Sequence, residues 1–175
     1  DAASYAQVGS GGLENLRNDF GRLRELSLQA ANGTLNASDR AALQEEADQV
    51  QGSIQQTLQG TRFNGRSLFD SDEDVTFQVG TREGDTLRLS DLNLNRQLEE
   101  TGALSIDLGN SQAASAAVGR IDAGLEKINA TDAGLGAVSN RLESVVAEAG
   151  SRQEAAAASR SRIRDTDFAR EASEL

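Results

Sequence analysis

Asp70, Asp72 and Asp74 alternate as the first ligands of a calcium loop do, a spacing that could bring three carboxylates to one divalent cation. Such a loop also needs Gly at its sixth position and a carboxylate at its twelfth. Here those positions hold Val75 and Thr81, so the run reads as a solvated acidic turn. Gly9-Ser10-Gly11-Gly12 is glycine-dense enough to cradle a phosphate, but no strand precedes it and no Lys-Ser/Thr follows. Glu45 and Glu46 could do acid–base work only if an apolar pocket raised one of their pKa values, and nothing around them suggests one. Asn32-Gly-Thr, Asn36-Ala-Ser and Asn129-Ala-Thr match the N-glycosylation acceptor, a pattern that chance produces in a chain rich in Asn, Ala, Ser and Thr. Arg22 and Gln29 lie seven residues apart on one side of a helix, with Leu26 between them. On residue type alone, Arg22 is a solubilising charge and Leu26 part of a broad core stripe.

Composition closes off most other chemistry. The chain has no His, Cys or Met, which excludes histidine bases, thiolate nucleophiles, disulfides and zinc sites built on N or S ligands. No cofactor or metal is expected, and the chain reads as a non-enzyme. Its net charge of −11, with Lys127 as the single lysine, offers no positive footprint for nucleic acid and no basic face for a membrane surface. No apolar run approaches the ~20 residues of a membrane span, and no signal-peptide core is visible. The chain opens at Asp1 rather than Met, which suggests processing or trimming.

The elements that would carry any site are helical. Ile121, Ile128, Leu135, Leu142, Ala149, Ala156 and Ile163 recur every seven residues, with Leu125, Val138 and Val145 between them. One helix over 111–170 would be about 90 Å long, with that stripe as its core seam. Leu13, Leu16, Phe20, Leu23 and Leu26 mark an earlier helix over 3–32, whose start Gly9, Gly11 and Gly12 should fray or kink. Leu43, Ala47, Val50, Ile54 and Leu58 mark another over 38–59, with Ser38 as N-cap and Asp39 at the positive end of its dipole. Val75, Phe77 and Val79, then Leu87 and Leu89, alternate at period two and predict a β-hairpin over 74–92. Residues 93–110 read as a polar connector with Leu98, Leu104, Ile106 and Leu108 as weak anchors. Aromatics are 3% of the chain and proline is absent, so long helices with a thin aliphatic core are expected. The fold class is mainly α: an elongated bundle of long helices with one β-hairpin.

Together the motifs resemble bacterial flagellin. Arg24-Glu-Leu26-Ser-Leu-Gln-Ala-Ala-Asn32 is similar to the family's first inner-core helix, which usually has Ala where Ser27 stands. Thr61-Arg-Phe-Asn-Gly65, Phe77-Gln-Val-Gly80, Leu135-Gly-Ala-Val-Ser-Asn-Arg-Leu-Glu143 and Ser161-Arg-Ile-Arg-Asp-Thr-Asp167 resemble its turn, hairpin, returning helix and C-terminal approach, in order. The resemblance implies a single elongated D1-like rod over residues 1–175, without the terminal segments of the innermost filament layer and with little or no outer variable domain. It implies a secreted structural subunit of the flagellar filament, serving motility. Other flagellin subunits, contacted through the absent termini, and a flagellar export chaperone for the full-length protein are the implied partners. It further implies recognition by the vertebrate flagellin-sensing Toll-like receptor, through positions matching Arg22, Leu26, Gln29 and Glu46. The alternatives are the hook–filament junction protein and, from another class, a coiled-coil adaptor that binds a partner helix.

Overall fold

A computed structural model describes the backbone of residues 2–80, 83–90 and 92–173, and side chains up to Arg164 except Ile163. The heptad rung at Ile163, most of the motif from Ser161 to Asp167, and Thr81 and Arg82 of the hairpin loop therefore lie outside what is described in full. Four helices and two hairpins follow in chain order: α1 (Ala2–Ala30), α2 (Ala37–Gly60), β1 (Arg62–Phe63), β2 (Arg66–Ser67), β3 (Val75–Gln78), β4 (Thr86–Leu89), α3 (Leu94–Thr101) and α4 (Ser111–Ser173). With 63 residues α4 is about 95 Å long, against about 43 Å for the 29 residues of α1.

Helix α1 is the axis of the packing. Leu13, Leu16, Phe20, Leu23 and Leu26 are fully buried, recurring at gaps of three and four as a core-facing stripe must. It runs antiparallel to α4: Arg17 Nη2 reaches Asp132 Oδ2 at 2.9 Å, and Arg24 Nε reaches Asp122 Oδ1 at 2.7 Å. It is antiparallel to α2 as well, with Ser53 Oγ donating to Asp19 Oδ2 at 2.8 Å. The expected fraying at its glycines does not occur, because α1 is unbroken through them. Gly9 and Gly12 are buried, and a Cβ on Gly12 would stand 2.8 Å from both the Phe69 ring and Thr61 Oγ1. Close packing there outweighs the propensity cost of a helical glycine.

Helix α2 begins one residue earlier than its pattern suggests, and its cap is Asn36 rather than Ser38. Asn36 Oδ1 accepts from Asp39 N at 2.9 Å while Asp39 Oδ2 accepts from Asn36 N at 3.4 Å, a reciprocal capping box. Arg40 then reaches back to the end of α1, donating to the carbonyls of Ala30, Leu35 and Asn32 at 3.1, 2.8 and 3.0 Å. Helix α1 has no basic residue in its last turn, so Arg40 supplies the positive charge its C-terminus favours.

The small hairpin β1–β2 turns on Asn64 and Gly65, both at positive φ (50° and 80°), the backbone that an Asn-Gly pair tolerates best. In the larger hairpin Val75 pairs with Leu89 and Phe77 with Leu87, and the two leucines are buried. The supposed polar connector departs most from expectation. It contains α3, and Leu98 and Leu108 are fully buried, with Ile106 at 5% exposure. Two side chains of α2 hold its extended part: Gln44 Oε1 accepts from Leu108 N at 2.7 Å, and Gln51 Oε1 from Ile106 N at 3.1 Å. One hydrophobic cluster joins all of these elements.

That cluster ends partway along α4. Ile121, Ile128 and Leu135 are buried and Leu142 is half-buried, while Ala149 and Ala156 are exposed. The seven-residue stripe is thus the core seam only as far as about Leu142. Beyond it the loop end of the β3–β4 hairpin lines a groove with Val145 and Ala149, and from Val146 onward every described side chain of α4 is exposed.

Candidate functional site

Arg22 and Glu46, 24 residues apart, meet on the lateral face where α1 and α2 run side by side. Arg22 Nε donates to Glu46 Oε1 at 2.8 Å, its Nη2 bonds the same oxygen, and its Nη1 reaches Glu25 Oε2 at 3.0 Å. The Glu46 carboxylate, and then Glu25, hold the Arg22 guanidinium above its ordinary pKa. Both main partners stay open to water, with side-chain exposures of 45% and 44%. An exposed pair of this kind adds little to stability and exchanges partners readily. Gln29 is exposed two turns further along the same helix.

Leu26 does not join them on this surface. It is 0% exposed and belongs to the core stripe, so its expected place as an apolar contact beside Arg22 is corrected. Arg22 and Leu26 are four residues apart, about 40° of rotation around a helix of 3.6 residues per turn. That rotation is enough to carry one side chain outward and the other under α2. Leu28, about 120° around α1 from Arg22, is the large apolar group of this stretch that faces solvent, at 49% exposure, and the leucine periodicity did not single it out.

The acidic turn is committed elsewhere. Asp70 Oδ1 accepts from Asn95 Nδ2 at 3.0 Å, Asp72 Oδ1 from Asn93 Nδ2 at 2.8 Å, and Asp74 Oδ2 from Arg88 Nε at 2.9 Å. Three carboxylates held by three separate donors do not converge on a cation. The three glycosylation-like asparagines have local work too. Asn32 Oδ1 accepts from Thr34, Asn36 caps α2, and Asn129 Oδ1 accepts from Arg17 Nε.

Two features escaped sequence reasoning. One is the Gln44–Gln51 clip on the connector, made of contacts 55 to 64 residues apart with no local signal. The other is a cavity walled by Tyr5, Phe63 and Phe77, residues from three separate elements. The distal half of α4 is a third feature of the surface. Its Val146 is 70% exposed, and Val145 one position before it is half-buried. Among the described residues, no helix is long and apolar enough to cross a membrane.

The chain is similar to known proteins over most of its length. The family model of the bacterial flagellin N-terminal helical region matches residues 1–74, and that of the bacterial flagellin C-terminal helical region matches 118–175. A flagellin of Halalkalibacterium halodurans is 32% identical over 176 aligned residues, covering 100% of this chain and 65% of that protein. The flagellar filament 33 kDa core protein of Treponema phagedenis is 32% identical, covering 96% and 64%. The chain thus spans just under two thirds of the length of these relatives. The crystal structure of Bacillus cereus flagellin superposes with a TM-score of 0.73 at 31% identity, covering 82% of each chain. FliC from Burkholderia pseudomallei, at 19% identity and a TM-score of 0.69, shares the fold.

Proposed function

The chain belongs to the bacterial flagellin family, and from that premise we propose that it is a structural subunit of an extracellular flagellar filament. In this reading residues 1–175 form one elongated D1-like domain, a mechanical part rather than a catalyst. The observation that carries it is the outrun of α4. A helix about 95 Å long continues past α1, α2 and α3, and from Val146, itself 70% exposed, every described side chain on it faces solvent. An uncovered apolar stripe on a rigid rod is suited to contacts made on assembly. Contacts that repeat head to tail without closing generate a filament rather than a ring. The lack of cysteine also leaves no disulfide to obstruct export of an unfolded chain, with a flagellar chaperone as its escort.

The test compares this 175-residue chain with the full-length protein under assembly conditions, by light scattering and electron microscopy. The rod alone should stay monomeric, held apart by its charge of −11. The full-length protein should form filaments whose scattering grows with their length. Filaments from the rod alone would overturn the assignment of assembly to further segments. A full-length protein that only caps preformed filament ends would indicate the hook–filament junction protein instead.

The lateral face supports a second part of the same reading, recognition of the monomer by the vertebrate flagellin-sensing Toll-like receptor. Arg22, Gln29 and Glu46 would form the contact, with Leu26 packing beneath it. An exposed arginine is a common interface anchor, and its truncation should weaken binding about tenfold or more. Binding of the receptor ectodomain to wild type, Arg22→Ala and Glu46→Ala decides it, equal affinity in all three leaving Arg22 a plain surface charge.

A further inference from the structure

Three of the chain's six aromatic side chains meet at one point, although they come from α1, β1 and β3. The Tyr5 ring stands edge to face with Phe63 at a centroid distance of 5.7 Å and with Phe77 at 5.4 Å. The three do not close on one another. With Val75 and Leu92 they wall a cavity of about 160 Å³. An apolar cavity of roughly 150 Å³ is large enough to take up benzene.

Polar groups sit where they could orient such a ring. Tyr5 is 4% exposed and lines this cavity with its ring and hydroxyl. Burial pushes the phenol above its ordinary value, and at neutral pH the hydroxyl keeps its proton and can donate it to an acceptor in the cavity. Arg66 lines the same cavity, near enough for its charge to act on the phenol. It pairs with Glu73 through Nη2, and the two side chains are 55% and 76% exposed, which places this pair at the solvent rim. The remaining guanidinium N–H groups leave capacity for a second anion.

We propose that this cavity binds a single-ring aromatic carboxylate, its ring among Tyr5, Phe63 and Phe77 and its carboxylate accepting from the Tyr5 hydroxyl beside Arg66. A volume of about 160 Å³ has room for one ring, which favours a small molecule over a peptide segment. Glu73 opposes an incoming anion and sets a limit on affinity.

The probe is 4-fluorobenzoate, followed by its fluorine NMR signal and by fluorescence of Tyr5, which is the only tyrosine in a chain without tryptophan. Saturable one-to-one binding is expected, with a Kd of about 1 mM or tighter. Tyr5→Phe keeps the ring and should weaken binding about fivefold, the range of one hydrogen bond. Glu73→Gln should tighten it. Val75→Phe fills the space and should abolish it with circular dichroism unchanged; Leu92→Phe serves if that variant does not fold. No binding by wild type, equal binding by a cavity-filled variant, or equal binding of uncharged fluorobenzene would each overturn the proposal. So would self-association in sedimentation that Val75→Phe abolishes, which would make the occupant a side chain from a second copy.

Discussion

Residues 111–138 and 139–173 of α4 are one unbroken helix carrying one seven-residue repeat, yet they live in different environments. In the first part Ile121, Ile128 and Leu135 are buried against α1, and even Gly124 is committed, since a Cβ there would lie 2.5 Å from the Phe20 ring. In the second part the described rungs, Leu142, Ala149 and Ala156, are half-buried or exposed, and Gly150 has nothing within 4 Å of its would-be Cβ. The same periodicity is therefore core in one half and surface in the other. A heptad shows that a helix has an apolar stripe; a neighbouring element is what turns the stripe into a seam.

The comparison breaks most sharply under charge. Ile128→Asp places a carboxylate in the fully buried seam and should cost several kcal/mol, a large part of the roughly 5–15 kcal/mol that holds a domain together. Leu142→Asp, at a half-buried rung, should cost far less than a core position would suggest. Equal losses in thermal unfolding would mean that the distal stripe is covered after all.

A subtler pair uses one substitution with opposite signs. Gly124→Ala drives a methyl into Phe20 and should destabilise by about 1–3 kcal/mol. Gly150→Ala meets open space and should raise helicity, worth up to about 1 kcal/mol for a helical glycine. Chemical denaturation reads the first and circular dichroism the second, and a stabilising Gly124→Ala would show that Phe20 has room to move. At the other end of the covered half, Gln44→Ala removes the acceptor of Leu108 N and should cost about 1–2 kcal/mol. Denaturant midpoints that do not move would mean the connector is held by its leucines alone.

The finest probe is Tyr5, one turn before Gly9, whose added Cβ would meet Leu135. It therefore stands near the boundary between the two halves. Burial raises its folded pKa above the ordinary 10.0, so the neutral phenol favours the native state. That contribution is complete below pH 10 and is lost as pH rises through the folded value. Ultraviolet titration should find ionisation later in the native protein than in urea, and coincident curves would place Tyr5 in water.

Much of this was legible one segment at a time. Spacings of three, four and seven marked three long helices, alternation marked β3 and β4, and Asn-Gly marked the turn at Asn64. These signals are local, because a helix or hairpin is stabilised by residues near one another in sequence. Residues 93–110 misled for the same reason. Their polar composition made Leu98 and Leu108 read as weak anchors, whereas both are fully buried in the one cluster that joins the helices. The lateral face divides in the same way. Sequence placed Arg22 and Gln29 on one helix, but the pairing of Arg22 with Glu46 and the burial of Leu26 depend on how α1 and α2 are rotated against each other. Sequence by itself determined which segments are helices and which side of each is apolar. The tertiary structure decided where those stripes find partners, where α4 runs on uncovered, and where three scattered aromatic rings leave a cavity, because burial is a property of neighbours that lie far apart along the chain.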